Sequence, residues 1–384
     1  MDYPGMTELV EYKKPIASQG LLETKPTGKR PVILLASALI TQEIIFNNGL
    51  FQNILVLYNM FESMGYDVYL LAERKGDGID GYKTILPEEI IRNPLQLHTF
   101  IEIGMSVSAT FRTYLRENGA KLVKLYLGNV VNIDIESVHM TPGLDFPHHV
   151  TGDMDEIWTS PHYGQNLDYI TVINRLRPNQ GKIAPYVWDR CFINNRIKEW
   201  IPPVSWQHMD IVITEPNISF QKVFVLPLLL VEAFAEKNPE WKGHVYVMNS
   251  SRIKGNVHVM KTVLPSLKIF PRISLEDRRN IVSLTTVYNN TLFIGHQFNN
   301  DFNYMTLELL LAGFPVLHNS SAWSKFGYYW TPDRWDESLN TLKEAMQFHT
   351  RRLTTYKTHA EQLAWAHSIH NPEIRERWAK LLEK

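Results

Sequence analysis

With 384 residues, 44% of them apolar and 21% charged, the chain is long enough for two domains and too apolar for wholesale disorder. Its 39 Lys and Arg against 40 Asp and Glu leave a formal charge of −1, which excludes the basic surplus of a protein whose main partner is nucleic acid. The single cysteine, Cys191, excludes an intramolecular disulfide and a Cys-rich zinc site.

Residues 1–28 read as a polar, flexible tail with no periodicity and without the apolar core of a signal peptide. The longest apolar runs, Pro31–Ile40 and Val223–Ala235, are too short or too interrupted (Pro227, Glu232) to cross a bilayer. The expectation is therefore a cytoplasmic protein with no transmembrane segment. Order begins with Pro31–Ser37, a short apolar run suited to a buried parallel strand. Asn47-Asn48-Gly49 leads into a helical pattern from Leu50 to Met64, which Gly65 closes as only glycine can in a left-handed cap. Asp67–Leu71 is the next strand, completing a βαβ unit. Phe100–Gly104 and Lys121–Leu127 are further strands around a helix at Ala109–Asn118, and Glu156–Thr159 and Gly181–Ala184 continue the series. Pro185 and the Pro202-Pro203 pair then punctuate the chain.

The pattern restarts at Met209–Thr214, a strand followed by the polar loop Glu215–Lys222 and a helix over Val223–Lys237. His244–Met248, Ser266–Phe270, Thr291–Ile294 and Phe314–Leu317 read as strands, with helices near 281 and 308, and the segment from Glu337 onward is helical with Trp365 and Trp378 as apolar anchors. The fold class expected is α/β, with two Rossmann-like doubly wound domains facing across a cleft. The divisions are a tail at 1–28, an N-terminal domain at 29–204, a C-terminal domain at 205–350, and final helices at 351–384 that pack back on the first domain. Ligands in such folds sit outside the carboxyl ends of the strands, so the residues just after each strand carry the functional reading.

The most informative segment runs from His296 to Asn319. A strand delivers a polar loop, a helix starts near Tyr304 and stops at Gly313, and a Pro-led strand follows. The start of that helix offers backbone N–H groups and a positive dipole end, which suit a diphosphate. Glu308 lies about one turn in, where a carboxylate accepts the two hydroxyls of a ribose, or else faces solvent on the outer side of the helix.

Glu308 through Val316, with Gly313 and Pro315 in register, resembles the E-A-x-A-x-G-x-P-V segment of GT-B glycosyltransferases that use nucleotide-sugar donors. The resemblance implies that Glu308 binds the donor ribose and that His296, Asn303, Tyr304, Met305 and Thr306 surround the diphosphate. Asn300 stands where many retaining members carry a second Glu, which leaves the stereochemical outcome open. Ile211–Thr214, Glu215-Pro-Asn217 and Lys222 resemble the first loop of the GT-B donor domain. The resemblance implies that Lys222 neutralises the leaving phosphate, with Glu215 and Asn217 orienting it or touching the sugar. Asn249 is a further cleft candidate, and Arg272, following the Leu267–Phe270 strand, falls where this fold holds the nucleobase. Asn48-Gly49 with Gln52 is similar to the first loop of the acceptor domain, and Asn129 and His149 join the cleft candidates. Taken in order, these motifs resemble a GT-B-like family of bacteria and large viruses.

For a general base, Glu102 at the end of the Phe100–Ile103 strand is the best-placed carboxylate, and His148-His149 with Asp153 form a second polar cluster. No metal site is expected. Adjacent histidines point apart on regular backbone, and Asp153-Met-Asp155 does not stand at a clear strand end. No cofactor is expected beyond a nucleotide-sugar co-substrate, UDP- or GDP-linked. No Gly-x-Gly-x-x-Gly, Walker A or Gly-x-Ser-x-Gly motif occurs in the expected context. Trp158 and Trp188 either border the acceptor cleft or belong to the core. The function expected is transfer of a hexosyl or pentosyl group from a nucleotide-diphosphate sugar to a glycan or other hydroxyl acceptor. The alternatives are an epimerase or phosphorylase of the same architecture, or a non-catalytic carbohydrate- or nucleotide-binding protein.

Overall fold

The apolar runs do assemble as two parallel sheets. A computed structural model describes residues 30–37, 40–41, 44–46, 49–74, 79–140 and 149–384. The chain divides into two units, one running to Asn194 and taking in Trp365–Lys384, the other formed by Asn195–Ala364.

In the first unit the strands are β1 (Val32–Ala36), β2 (Asp67–Leu71), β3 (Thr84–Ile85), β4 (Leu97–Glu102), β5 (Lys121–Tyr126), β6 (Glu156–Thr159) and β7 (Gly181–Ile183). They lie in the order β3-β2-β1-β4-β5-β6-β7, and every pairing is parallel. The order reverses between β1 and β4, the switch point of a doubly wound sheet. Helices α1 (Gly49–Ser63), α2 (Pro87–Arg92), α3 (Ala109–Glu117), α4 (Val130–Met140) and α5 (Leu167–Ile173) connect them.

Alternation along β1 explains why its sequence is apolar throughout. Ile33 and Leu35 pack with α1 and the C-terminal residues Trp378, Leu381 and Leu382. Leu34 and Ala36 point the other way, into a cluster with Ile90 of α2 and Phe111 and Leu115 of α3. Gly65 adopts φ +96° after α1, the left-handed cap expected from its place in the sequence.

The second unit holds β8 (Ile211–Ile213), β9 (Val245–Val247), β10 (Ile273–Leu275), β11 (Leu292–Ile294), β12 (Val316–His318) and β13 (Tyr328–Tyr329). Their order is β10-β9-β8-β11-β12-β13, again parallel, so the switch point lies between β8 and β11. The helices are α6 (Val225–Lys237), α7 (Ser251–Lys254), α8 (Ile281–Val287), α9 (Tyr304–Leu311) and α10 (Trp335–Ala366); α11 (Pro372–Leu382) belongs to the first unit.

One expected strand moves. Ser266–Phe270 is not a strand; two short 3-10 turns, Leu264–Ser266 and Phe270–Arg272, occupy this stretch and β10 begins at Ile273. Pro265 and Pro271 each open one of those turns, where their missing N–H costs nothing, whereas in a strand it would break the ladder.

The unit boundary falls at 194/195, where the sequence pattern placed it at 204/205. Residues 351–364 stay with the second unit because they extend α10, whose Tyr356 hydroxyl donates to the Phe314 carbonyl at 2.7 Å and accepts from the Val316 N–H at 3.1 Å. The chain rejoins the first unit at Trp365. There α11 sets Trp378 edge-on to Phe61 and Trp158, at 5.4 and 5.8 Å between ring centroids. Arg375 donates to the Ser63 hydroxyl at 2.8 Å and to its carbonyl at 3.0 Å. Trp158 and Trp188 are both core residues. Among the described residues no helix is long and apolar enough to cross a membrane.

Candidate active site

The second sheet delivers three loops to one pocket. Its lining comes from Thr214 and Glu215 after β8, from Gly295, Gln297, Asn300 and Asp301 after β11, from Asn303, Met305 and Thr306 at the start of α9, and from His318, Asn319 and Ser320 at the end of β12. These are the carboxyl ends of three neighbouring strands spanning the switch point, where ligands collect in open α/β sheets.

Cross-loop hydrogen bonds hold the floor. Glu215 Oε1 accepts the His296 backbone N–H at 2.8 Å, tying the β8 loop to the β11 loop. The Gln297 N–H donates to Asn319 Oδ1 and the Asn319 side-chain amide donates back to the Gln297 carbonyl, both at 2.8 Å. Asp301 accepts from the Ser321 N–H at 3.0 Å and its hydroxyl at 2.9 Å. Asn300 bonds Gln297 across the loop. Gly295 gives the Glu215 carboxylate room here, because a Cβ would stand 3.0 Å from its Oε1 and the carboxylate would have to shift.

Two of the expected ligand residues serve as clips. Asn217, at φ 55°, donates to the Glu215 and Met248 carbonyls and accepts from the Phe224 N–H, each at 2.9 Å. Asn249, at φ 53°, donates to the Thr214 and Glu215 carbonyls at 3.0 Å. Asparagine tolerates the left-handed region and bonds its own surroundings, which suits both positions. Asn303 caps α9 through Met305 N–H at 2.8 Å. Tyr304 is buried in the first turn. Glu308 is 3% exposed in the second turn, so it does not sit on a solvated face.

Burial sets the charges. It raises the Glu215 carboxyl above the ordinary carboxylate range, opposed by the His296 N–H, the positive charge of Lys222 and the Gln297 side chain. It lowers the Lys222 ammonium, opposed by Glu215. His296 and His318 are both pushed down to about 4 by burial, and so are neutral at pH 7. His318 Nε2 donates to the Phe326 carbonyl at 2.8 Å, leaving Nδ1 to accept the Ser320 N–H at 3.2 Å.

Arg272 does not belong to this site. It precedes β10, at the amino end of the sheet, and donates to the carbonyls of Trp241 at 3.2 Å and Gly243 at 2.9 Å while its guanidinium lies 4.6 Å over the Trp241 ring. The misplaced strand had put it at the wrong end.

In the first unit, Glu102 is wholly buried at the end of β4. Lys124 Nζ lies 2.9 Å and Arg112 Nε 3.3 Å from its carboxylate. A carboxylate enclosed by two cations is a charge anchor and is not placed to take a proton from a hydroxyl. Asn129 Oδ1 accepts from the Asn166 amide at 3.0 Å and the Asn132 N–H at 3.2 Å. His149 bonds the Asp134 carboxylate through Nδ1, while its carbonyl accepts from the Tyr126 hydroxyl at 2.7 Å. Gly49 opens α1 and Gln52 is buried within it; Asn48 and His148 lie outside the described residues. Asp155 accepts the Leu122 N–H at 2.7 Å and pairs with Arg116 at 3.3 Å. Among the described residues no group of three His, Cys, Asp or Glu side chains is arranged to hold a metal ion.

Sequence reasoning missed Thr214, Gln297, Asp301, His318, Asn319 and Ser320 as site residues. Their signal was present: each is polar and lies at or just beyond the end of an apolar strand.

A family model described as "Protein of unknown function (DUF2827)" matches residues 36–382. The chain belongs to this family. No curated protein matches the DUF2827 chain in sequence. Solved structures do match it in fold. A glycosyltransferase from Rickettsia africae ESF-5 superposes with a TM-score of 0.56 at 10% identity, covering 92% of this chain and 98% of that one. An α,α-trehalose 6-phosphate synthase from Burkholderia multivorans gives 0.55 at 10% identity over the same shares, 92% and 98%. The E. coli trehalose-6-phosphate protein bound with UDP-2-fluoro glucose gives 0.58 at 9% identity, also covering 92% and 98%. The DUF2827 chain has the GT-B fold of these glycosyltransferases.

Proposed function

We propose that this protein is a metal-independent glycosyltransferase that takes a nucleotide-diphosphate sugar in the second unit and passes the sugar to a hydroxyl acceptor held by the first. The observation that carries this reading is the pocket at the β8/β11 switch point, walled by the start of α9, with the charge of Lys222 acting on Glu215 in its lining. The positive end of α9 and Lys222 hold the diphosphate. Lys222 stabilises the charge that grows on the departing nucleoside diphosphate. Glu308 accepts the ribose hydroxyls. The floor of interlocked loops keeps these groups fixed before the substrate arrives, which lowers the reorganisation needed in the transition state. Glu102 is assigned no proton transfer; it holds Lys124 and Arg112.

The test is a thermal-shift screen of the purified chain against UDP-, GDP-, ADP- and TDP-sugars. Binding to the native state raises Tm by mass action, so one nucleotide class is expected to stabilise the chain at submillimolar concentration. No shift with any of them would reject the reading.

A further inference from the structure

Among the described residues of the second unit, five buried side-chain polar atoms have no hydrogen-bond partner: Glu215 Oε2, Arg279 Nε, His296 Nδ1, Ser320 Oγ and Thr331 Oγ1. Two of them, on Glu215 and Ser320, belong to residues that line the same pocket. One is Glu215 Oε2. The residue is 1% exposed, its Oε1 is taken by the His296 N–H at 2.8 Å, and Oε2 has no partner. The other is Ser320 Oγ. The residue is 5% exposed and its own N–H is held by His318 at 3.2 Å, yet its hydroxyl bonds nothing. The His318 ring cannot swing to serve that hydroxyl. It is fixed by the Phe326 carbonyl and backed by Gly327, where even a Cβ would come within 3.0 Å of Nε2.

Buried polar atoms in native proteins are satisfied, and those that lack a protein partner mark a place for water or ligand. The two residues stand beyond the ends of β8 and β12, which flank β11 on either side. A group reaching both therefore spans the switch point. The chemistry on offer is a carboxyl oxygen and a hydroxyl that donates and accepts. No Lys or Arg lines the pocket, and Asp301 adds a second acid to it. Away from the start of α9, that inventory suits a neutral group bearing several hydroxyls.

We propose that Glu215 Oε2 and Ser320 Oγ grip hydroxyls of the sugar half of the donor, and that Ser320 is a specificity-determining residue. The proposal rests on the reading of this pocket as a nucleotide-sugar site. The diphosphate is left to Lys222 and the backbone at the start of α9.

The experiment compares wild type, Ser320→Ala and Glu215→Gln by calorimetric titration. The ligands are UDP, GDP, ADP and TDP, and their glucose, mannose and N-acetylglucosamine conjugates. The expected result for Ser320→Ala is roughly tenfold weaker binding of the conjugate that wild type prefers, with affinity for the bare nucleotide unchanged. Glu215→Gln keeps the shape and is expected to weaken the preferred conjugate as well; because Glu215 also acts on Lys222, selectivity against the bare nucleotide is read from Ser320→Ala. Ser320→Ala removes one oxygen and leaves the His318 contact to the backbone, so it keeps the test open if the Glu215 variant does not fold. Equal losses for nucleotide and conjugate in Ser320→Ala would overturn the proposal while leaving the nucleotide site standing. So would unchanged conjugate affinity in Ser320→Ala, which would assign the hydroxyl to a water. Wild type binding bare nucleotide at least as tightly as every conjugate would do the same. Wild type binding none of the ligands would remove the nucleotide-sugar reading and this proposal with it.

Discussion

Two buried glutamates stand beside the switch points of the two sheets, on opposite sides of them, and they differ in what surrounds them. Glu102 ends β4, beside the first switch point, and Glu215 follows β8, beside the second. Glu102 has a lysine at 2.9 Å and an arginine at 3.3 Å, so its charge is answered within the protein. Glu215 has one backbone N–H on Oε1, no hydrogen bond to Oε2, the neutral Gln297 side chain nearby, and a lysine that acts on it through the field. A buried carboxylate with a full set of partners stabilises a fold. One with an open oxygen in a polar pocket is poised for something that arrives later. The contrast is what makes Glu215, and not Glu102, the acid of the proposed sugar site.

The comparison can be broken by mutation, and the largest effect is expected at Glu102. Glu102→Ala strands Lys124 and Arg112 in the interior, and breaking a buried pair in this way costs about 3–5 kcal/mol. Urea unfolding measures it; a loss under about 1 kcal/mol would mean that the cations find water. Lys222→Ala is next. Turnover of the cognate donor is expected to fall about 10²-fold, more than donor affinity falls, as for removal of a charge-stabilising donor from a transition state. Full turnover in that variant rejects the leaving-group role. Glu308→Ala is expected to weaken donor binding by about 1.5–3 kcal/mol, the range for hydrogen bonds to a charged group. Arg272→Ala should leave donor affinity as it is and cost at most about 1 kcal/mol of stability, through the lost stack on Trp241.

The pH dependence sharpens the same contrast. Burial raises the Glu215 carboxyl, so the folded state binds that proton more tightly than the unfolded state does. Its contribution to stability is complete below the ordinary carboxylate range and is lost as pH rises through the raised value. Glu215→Gln should remove this loss and flatten the stability profile on the alkaline side. His296 and His318 run the other way. Each is pushed from 6.5 down to about 4, so the stability it supplies is full above 6.5 and falls as pH drops toward 4. Unfolding midpoints measured across that window would show the decline.

Much of the fold was legible because buried parallel strands are short apolar runs, and because Gly65 marks a helix end with φ of +96°. The strand near 270 was not. Lys268-Ile-Phe looks extended until Pro265 and Pro271 are given their weight, and the error carried Arg272 to the wrong end of the sheet. The site was legible in outline, since Glu215, Asn303, Met305 and Thr306 do line one pocket. Its details were hidden for a physical reason. Whether an asparagine binds a ligand or clips a loop depends on its φ and its neighbours, which spacing alone does not encode. Asn217 and Asn249 hold backbone, whereas the plain serine at 320 lines the pocket with an unsatisfied hydroxyl.

The account's central claim is that the pocket at the second switch point holds a nucleotide-sugar, and calorimetric titration with and without Glu308 tests it most directly. The prediction is one-to-one binding of a single nucleotide-sugar class to wild type and a clear loss of affinity in Glu308→Ala. Equal affinity of the two chains, or no heat from any nucleotide-sugar with the wild-type chain, would contradict it.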